Sequence, residues 1–170
     1  MQVYGIVGRK NSGKTHLVTR LVRAAVARGL AVSTIKHAHH GFDVDQPGKD
    51  SWLHREAGAT EVLVASASRW ALLHEHRGAS EPTLADLLAR LGPCDLVLVE
   101  GFKRDPHPKL EVYRASCGQP PLGAGDAQVE AVATDEPAAL QPGVPVLALD
   151  DTEAVLDFIL SRAPDATTRR

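Results

Sequence analysis

Gly8-Arg9-Lys10-Asn11-Ser12-Gly13-Lys14-Thr15 matches the pattern G-x-x-x-x-G-K-[ST] at every fixed position. The two glycines let the backbone curl until successive N–H groups converge on phosphate oxygens. In such a loop the lysine reaches the β- and γ-phosphates and the threonine hydroxyl ligates magnesium. The chemistry these eight residues serve is therefore the holding of a nucleoside triphosphate with Mg²⁺, with Arg9, Lys10, Asn11 and Ser12 supplying the loop between the glycines. A site of this kind needs an acidic residue at the end of a neighbouring strand to orient the metal. The segment Asp95-Leu96-Val97-Leu98-Val99-Glu100-Gly101 carries an acid at each end. Ligands gather at the carboxyl ends of parallel strands, so Glu100 is the expected metal-side carboxylate and, with Lys14, the expected catalytic residue. Asp95 reads as a solvated strand start.

A second concentration of polar groups follows from Lys36 to Ser51. Lys36 and His37 are expected near the bound anion. Asp43, Asp45 or Asp50 can reach magnesium directly or through water, and Asp45 stands as the third metal candidate beside Thr15 and Glu100. The alternative is a solvated loop whose aspartates only make turns. His37, His39 and His40 lie too close in sequence for their rings to build a tetrahedral zinc site among themselves.

The elements that must position these groups are legible as apolar patterns. Val3 to Val7 is a short buried strand that ends at Gly8. Leu17, Val18, Leu21, Val22, Ala25 and Val26 form one helical face over 15–28, with Gly29 as its stop. Further strands are expected over 30–35, 61–65, 70–73, 96–99, 109–113, 129–133 and 146–149, the second and third as a hairpin turning near Ser66 to Arg69. Helices are expected over 50–57, 83–91 and 152–162, and the Gly/Pro-rich stretch 116–128 is loop. Strands alternating with helices predict an α/β fold, a P-loop NTPase three-layer arrangement with a mainly parallel sheet flanked by helices. Nothing in the pattern splits the chain, so residues 1–163 read as a single P-loop nucleotide-binding domain and 164–170 as a frayed polar tail.

The bulk numbers narrow the class. The 170 residues, 44% hydrophobic and 24% charged, suit one globular domain that buries a core without disulfides. A formal net charge of -2 gives nucleic-acid binding no support, so a polyanionic ligand must be held by local groups. Cys94 and Cys117 form no metal-ligand spacing. The N-terminus lacks the pattern of a signal peptide, and no apolar run approaches the ~20 residues of a membrane span. The expectation is a cytoplasmic protein with no membrane partner.

Several further segments join the P-loop: Lys36-His37, His39-His40, Asp43-Val44-Asp45, Pro47 to Ser51, Ala57-Gly58-Ala59, Arg69-Trp70-Ala71-Leu72 and Asp95 to Lys103. Together they resemble the molybdopterin-guanine dinucleotide biosynthesis protein B family over residues 2–160. The resemblance implies GTP and Mg²⁺ as ligands and an accessory role in molybdenum cofactor biosynthesis. It also implies weak intrinsic GTPase activity and contact with a separate molybdopterin nucleotidyltransferase, protein A of that pathway. Molybdopterin or the molybdenum cofactor is a further candidate ligand. A homodimer is implied too, for which the sequence offers the apolar pieces Trp70–Leu73 and Leu110–Tyr113 as strands that extend a sheet across a two-fold axis, or that pack inside the monomer. The chain has no N-K-x-D motif for guanine. Asp135, after Val132-Ala133-Thr134, is the candidate that accepts from guanine N1 and N2, or else a cap or turn residue before Pro137. Competing classes on the same fold are a small-molecule kinase, an ATP-dependent ligase and a metallochaperone-type GTPase.

Overall fold

The computed structural model describes residues 1–38, 41–140 and 143–163. His39, His40 and the expected tail 164–170 lie outside the described residues. The chain's internal contacts divide into two compact units, residues 1–37 with 87–170, and residues 38–86.

The first unit is built on a six-stranded sheet of order β2-β5-β1-β6-β7-β8, parallel at every pairing. Its strands are β1 (Gln2–Gly8), β2 (Val32–Lys36), β5 (Leu96–Glu100), β6 (Lys109–Tyr113), β7 (Val129–Thr134) and β8 (Val146–Ala148). β1 and β5 are the continuous apolar runs, and both lie inside the sheet with their faces buried. Alternation sends Tyr4, Ile6, Leu96, Leu98, Leu110 and Val112 to one face, where α1 (Lys14–Ala27) and α4 (Thr152–Arg162) cover them with Leu17, Leu21, Leu156 and Ile159. Helix α1 stops where the sequence expects. Gly29, at φ +83°, donates to the Val26 carbonyl while Leu30 N–H reaches back to Ala25, a Schellman closure that only a residue tolerant of positive φ makes cheaply. Helix α4 starts on Asp151, whose carboxylate accepts from Ala154 N–H at 3.0 Å.

β6 departs from a simple apolar strand. Lys109 and Glu111, on the face away from α1, are 1% and 0% exposed. Such burial is tolerable only with partners. Glu111 accepts from the amides of Leu122 and Gly123 at 2.7 and 2.8 Å, and Lys109 donates to the Asp105 carbonyl at 2.7 Å and faces Asp126. The Gly/Pro-rich loop is thereby tied to the sheet from below. β6 also sits between β1 and β7. Leu110–Tyr113 therefore packs inside the monomer, and its expected use at a sheet-extending dimer edge is corrected: a strand with neighbours on both sides has no unpaired edge to offer.

The second unit holds α2 (Asp50–Glu56) and an antiparallel hairpin of β3 (Glu61–Ala65) and β4 (Trp70–His74), with the turn at Ser66–Arg69 as expected. Arg55 organises it, bonding Asp43, Asp45 and Glu75 at 2.7, 3.1 and 3.1 Å. α3 (Leu84–Leu88) is shorter than the expected 83–91. Thr83 and Asp86 cap its start reciprocally, but Arg90 and Leu91 bond only three residues back, so the end tightens ahead of Gly92-Pro93. Among the described residues no helix is long and apolar enough to cross a membrane.

Candidate functional site

Strand β1 delivers Gly8 to the carboxyl edge of the sheet, and the chain turns through residues 9–13 into α1. Gly8 (φ +151°), Asn11 (φ +64°) and Gly13 (φ +97°) all take positive φ, the backbone signature of a loop whose amides point inward. A Cβ on Gly8 would stand 2.4 Å from the Val112 carbonyl oxygen and 2.7 Å from Ser12 Oγ, so only glycine lets the loop lie this close to β6. The first turn of α1 has no acidic residue and no side-chain cap, which leaves its N–H groups and positive dipole end to an anion. Ser12 is 1% exposed, and its Oγ has no hydrogen-bond partner among the described residues. A polar atom orphaned inside a loop of this spelling fits an oxygen of a phosphate-bearing ligand.

Lys14 lies folded on the loop, donating to the Arg9 carbonyl at 2.6 Å. Burial, and next the positive charge of Lys103, hold its ammonium below the usual lysine pKa, while Glu100 opposes the shift. Thr15 Oγ1 donates to Glu100 Oε1 at 2.8 Å, and Lys36 Nζ stands 3.5 Å from both oxygens. A hydroxyl and a carboxylate already converged at the end of β5 are the hard oxygen donors that magnesium takes. These residues fit Mg²⁺ by their donor chemistry, and the glycine-lined cradle fits a polyphosphate. The other acid of that strand, Asp95, accepts from Ala31 N–H at 2.8 Å at the opposite end of the sheet. It is exposed there, the solvated strand start that the sequence leads one to expect, and this bond ties it to the residue just before β2.

His37 N–H donates to the Glu100 carbonyl at 2.8 Å, and its ring stacks on Phe102 with centroids 4.5 Å apart. Gly101 (φ +102°) is forced to be glycine by the same packing, since a Cβ would meet His37 Cβ at 2.8 Å. His37 thus braces the turn after Glu100. Asp45 belongs to the second unit, where its carboxylate accepts from Ser51 Oγ at 2.9 Å and Arg55 Nε at 3.1 Å. Where the sequence reading offers Asp45 to magnesium, the folded chain engages it with a guanidinium and a hydroxyl. Among the described residues no three His, Cys, Asp or Glu side chains gather as a metal cage.

One residue escapes the sequence reading. Arg114, directly after β6, donates from Nε to the Ser12 carbonyl at 3.2 Å and pairs through Nη1 with Asp135 Oδ2 at 3.2 Å. The signal was present but weak: Lys36, Glu100, Arg114 and Asp135 all end, or directly follow, a strand of one parallel sheet. Cys117 also meets this region, its Sγ 3.8 Å from the Lys10 carbonyl oxygen. The structure therefore brings together residues 8–15, Lys36, His37 and Glu100, and links Asp135 to the loop through Arg114.

The chain is similar to known proteins along most of its length. A family model described as molybdopterin guanine dinucleotide synthesis protein B matches residues 3–135. A Haemophilus influenzae molybdopterin-guanine dinucleotide biosynthesis adapter protein is 41% identical over 158 residues, 91% of this chain and 85% of the relative. The Escherichia coli protein of the same name is 42% identical over 152 residues, 88% and 86% of the two chains. The crystal structure of Bacillus subtilis MobB superposes with a TM-score of 0.76 at 27% identity, covering 96% of this chain and 99% of that one. A MobB homologue from Bacillus stearothermophilus gives 0.66 at 30% identity, covering 95% and 97%. The α/β P-loop NTPase fold expected from the sequence is the fold of these neighbours.

Proposed function

This chain belongs to the molybdopterin guanine dinucleotide synthesis protein B family, and from that membership we propose that it holds GTP and magnesium at its P-loop. It is an accessory of molybdopterin guanine dinucleotide biosynthesis. The small-molecule kinase, ligase and metallochaperone readings are not favoured.

The observation that carries the nucleotide reading is the Thr15–Glu100 hydrogen bond of 2.8 Å at the mouth of a complete P-loop. Magnesium, when bound, offsets negative charge on the phosphates. The remaining work falls to the chain's own residues. The amides of 9–14 and the orphaned Ser12 hydroxyl receive phosphate oxygens. Lys14 is a cation held in reserve on the Arg9 carbonyl, and Lys103 beside it supplies a second. Thr15 and Glu100 hold the metal side. Asp135 reads the base, its carboxylate accepting the N1 and N2 protons that guanine has and adenine lacks.

The same reading makes the protein a poor enzyme by itself. Fast hydrolysis needs a group that orients water and a cation facing the transition state, and a missing arginine finger alone costs ~10³- to 10⁵-fold. GTP is held for delivery to, or regulation of, a separate nucleotidyltransferase in the cytoplasm. A homodimer is part of this proposal. Leu63 pairs with Leu72 and Ala65 with Trp70, so one face of the β3–β4 hairpin carries Leu63, Leu72 and Trp70, all exposed. An exposed apolar stripe of this kind marks an association surface. Calorimetric titration with GTP and with ATP, each with magnesium and with chelator, tests the reading. The expected result is magnesium-dependent GTP binding with ATP weaker by ~10²-fold or more. ATP binding as tight as GTP would remove the guanine assignment.

A further inference from the structure

We propose that Arg114 is a positioning residue that couples base reading to the phosphate cradle, by holding the Asp135 carboxylate at a set distance from the P-loop backbone. The inference rests on the P-loop as triphosphate site and on Asp135 as guanine reader, and it adds how the two are made to act together.

The problem is geometric. The cradle hangs on β1 and the reader on β7, with β6 between them. A guanine nucleotide must satisfy both at once, so their spacing is part of the recognition. Arg114 follows the intervening strand and bonds to each neighbour. Its Nε donates to the carbonyl of Ser12, a residue 1% exposed inside the loop, and its Nη1 pairs with Asp135 Oδ2, both at 3.2 Å. The guanidinium also lies against the loop: a Cβ on Gly13 would stand 3.5 Å from Nε and 3.7 Å from Nη2. A planar guanidinium presents these donors in a fixed fork, which a lysine ammonium cannot reproduce.

The contact leaves the reader usable. Arg114 engages Oδ2, whereas among the described residues Oδ1 has only the long 3.5 Å contact from Thr134 Oγ1. Thr134 is itself buried and accepts from Glu136 N–H at 3.2 Å, so the end of β7 is held from the other side. Each carboxylate oxygen has two lone pairs, so Oδ2 can keep Arg114 and still accept from a base. Arg114 and Asp135 side chains are each 40% exposed. A pair so open to solvent adds little to folding, and its effect is orientation of the reader rather than stability.

The test uses the full chain with GTP, ATP and inorganic tripolyphosphate, in wild type, Arg114→Ala, Arg114→Lys, Asp135→Ala and the double variant Arg114→Ala/Asp135→Ala. Arg114→Ala and Arg114→Lys should lower the GTP-over-ATP preference by roughly tenfold, the differential worth of one ordinary hydrogen bond. Tripolyphosphate affinity should stay within about twofold, as for loss of a surface ion pair, with the melting temperature unchanged. Because Arg114 acts through Asp135, Arg114→Ala should lower the preference no further once Asp135 is alanine. Full preference retained in Arg114→Ala, or an additive loss in the double variant, overturns the coupling role while leaving Asp135 as reader. Full preference retained in Asp135→Ala, or none in the wild type, overturns the base-reading assignment and this inference with it. Failure of the wild type to bind tripolyphosphate or GTP overturns the P-loop reading itself.

Discussion

Replacing Glu100 by glutamine isolates the charge at the proposed metal side of the site. The amide keeps an oxygen where Glu100 Oε1 now accepts from Thr15 Oγ1 at 2.8 Å, so the local hydrogen bond survives. The ion pair with Lys36 at 3.5 Å is lost, but the Lys36 side chain is 60% exposed, and a pair screened to that degree contributes at most about 1 kcal/mol. Folding stability should therefore fall by less than about 1 kcal/mol. Metal-dependent binding should fall by more. A carboxylate and a divalent cation 4 Å apart interact by about 8 kcal/mol at an effective dielectric of 20. Water replaces a lost carboxylate readily on magnesium and recovers most of this. A net loss of about 2–3 kcal/mol, roughly 30- to 150-fold, remains. The assay is calorimetric GTP binding, in magnesium and in chelator, for both proteins. The ratio of the two affinities should collapse in Glu100→Gln while the chelator values agree. An unchanged ratio in a folded variant would refute the assignment of Glu100 to the metal side.

Four other outcomes are expected. Since Lys14 has a lowered pKa in the free protein and a bound polyanion favours its charged form, GTP binding should take up protons on the alkaline side. Affinity should then weaken as pH rises through the free-state value, and buffer-independent binding enthalpies there would contradict the assignment. Gly8→Ala must displace the Val112 carbonyl or the loop, and should cost about 2–4 kcal/mol by chemical denaturation along with nucleotide binding; wild-type stability would count against the close approach. Asp135→Asn should shift base preference from GTP toward xanthosine triphosphate, because the amide N–H faces the carbonyl at C2; retained GTP preference rejects Asp135 as reader. Light scattering should show a dimer that Trp70→Ser with Leu72→Ser converts to monomer, and a wild-type monomer across the working range would remove the hairpin from the interface.

What the sequence determined by itself is local. The turn from β1 into α1 depends on positive φ at Gly8, Asn11 and Gly13, all within eight consecutive residues, so its conformation was legible from their spelling. The end of β5 was legible because an apolar run of strand length stops at Glu100-Gly101, and parallel sheets place chemistry at that end. The hairpin at Ser66–Arg69 and the Gly29 helix stop were likewise written in neighbouring residues. Tertiary structure decided everything that depends on which segments lie side by side. Leu110–Tyr113 looked free to pair with another chain until β6 took its place between β1 and β7. Lys109 and Glu111 look like ordinary polar alternation, and only folding over of the loop near Leu122 and Asp126 makes them buried and satisfied. Asp45 is chemically a good magnesium ligand, but Arg55, ten positions away, claims its carboxylate. Arg114 meets both the loop after β1 and Asp135 only because strand order sets it between them. Backbone conformation and donor type are properties of a short stretch of chain, whereas the partner of a long charged side chain is fixed by packing between distant strands.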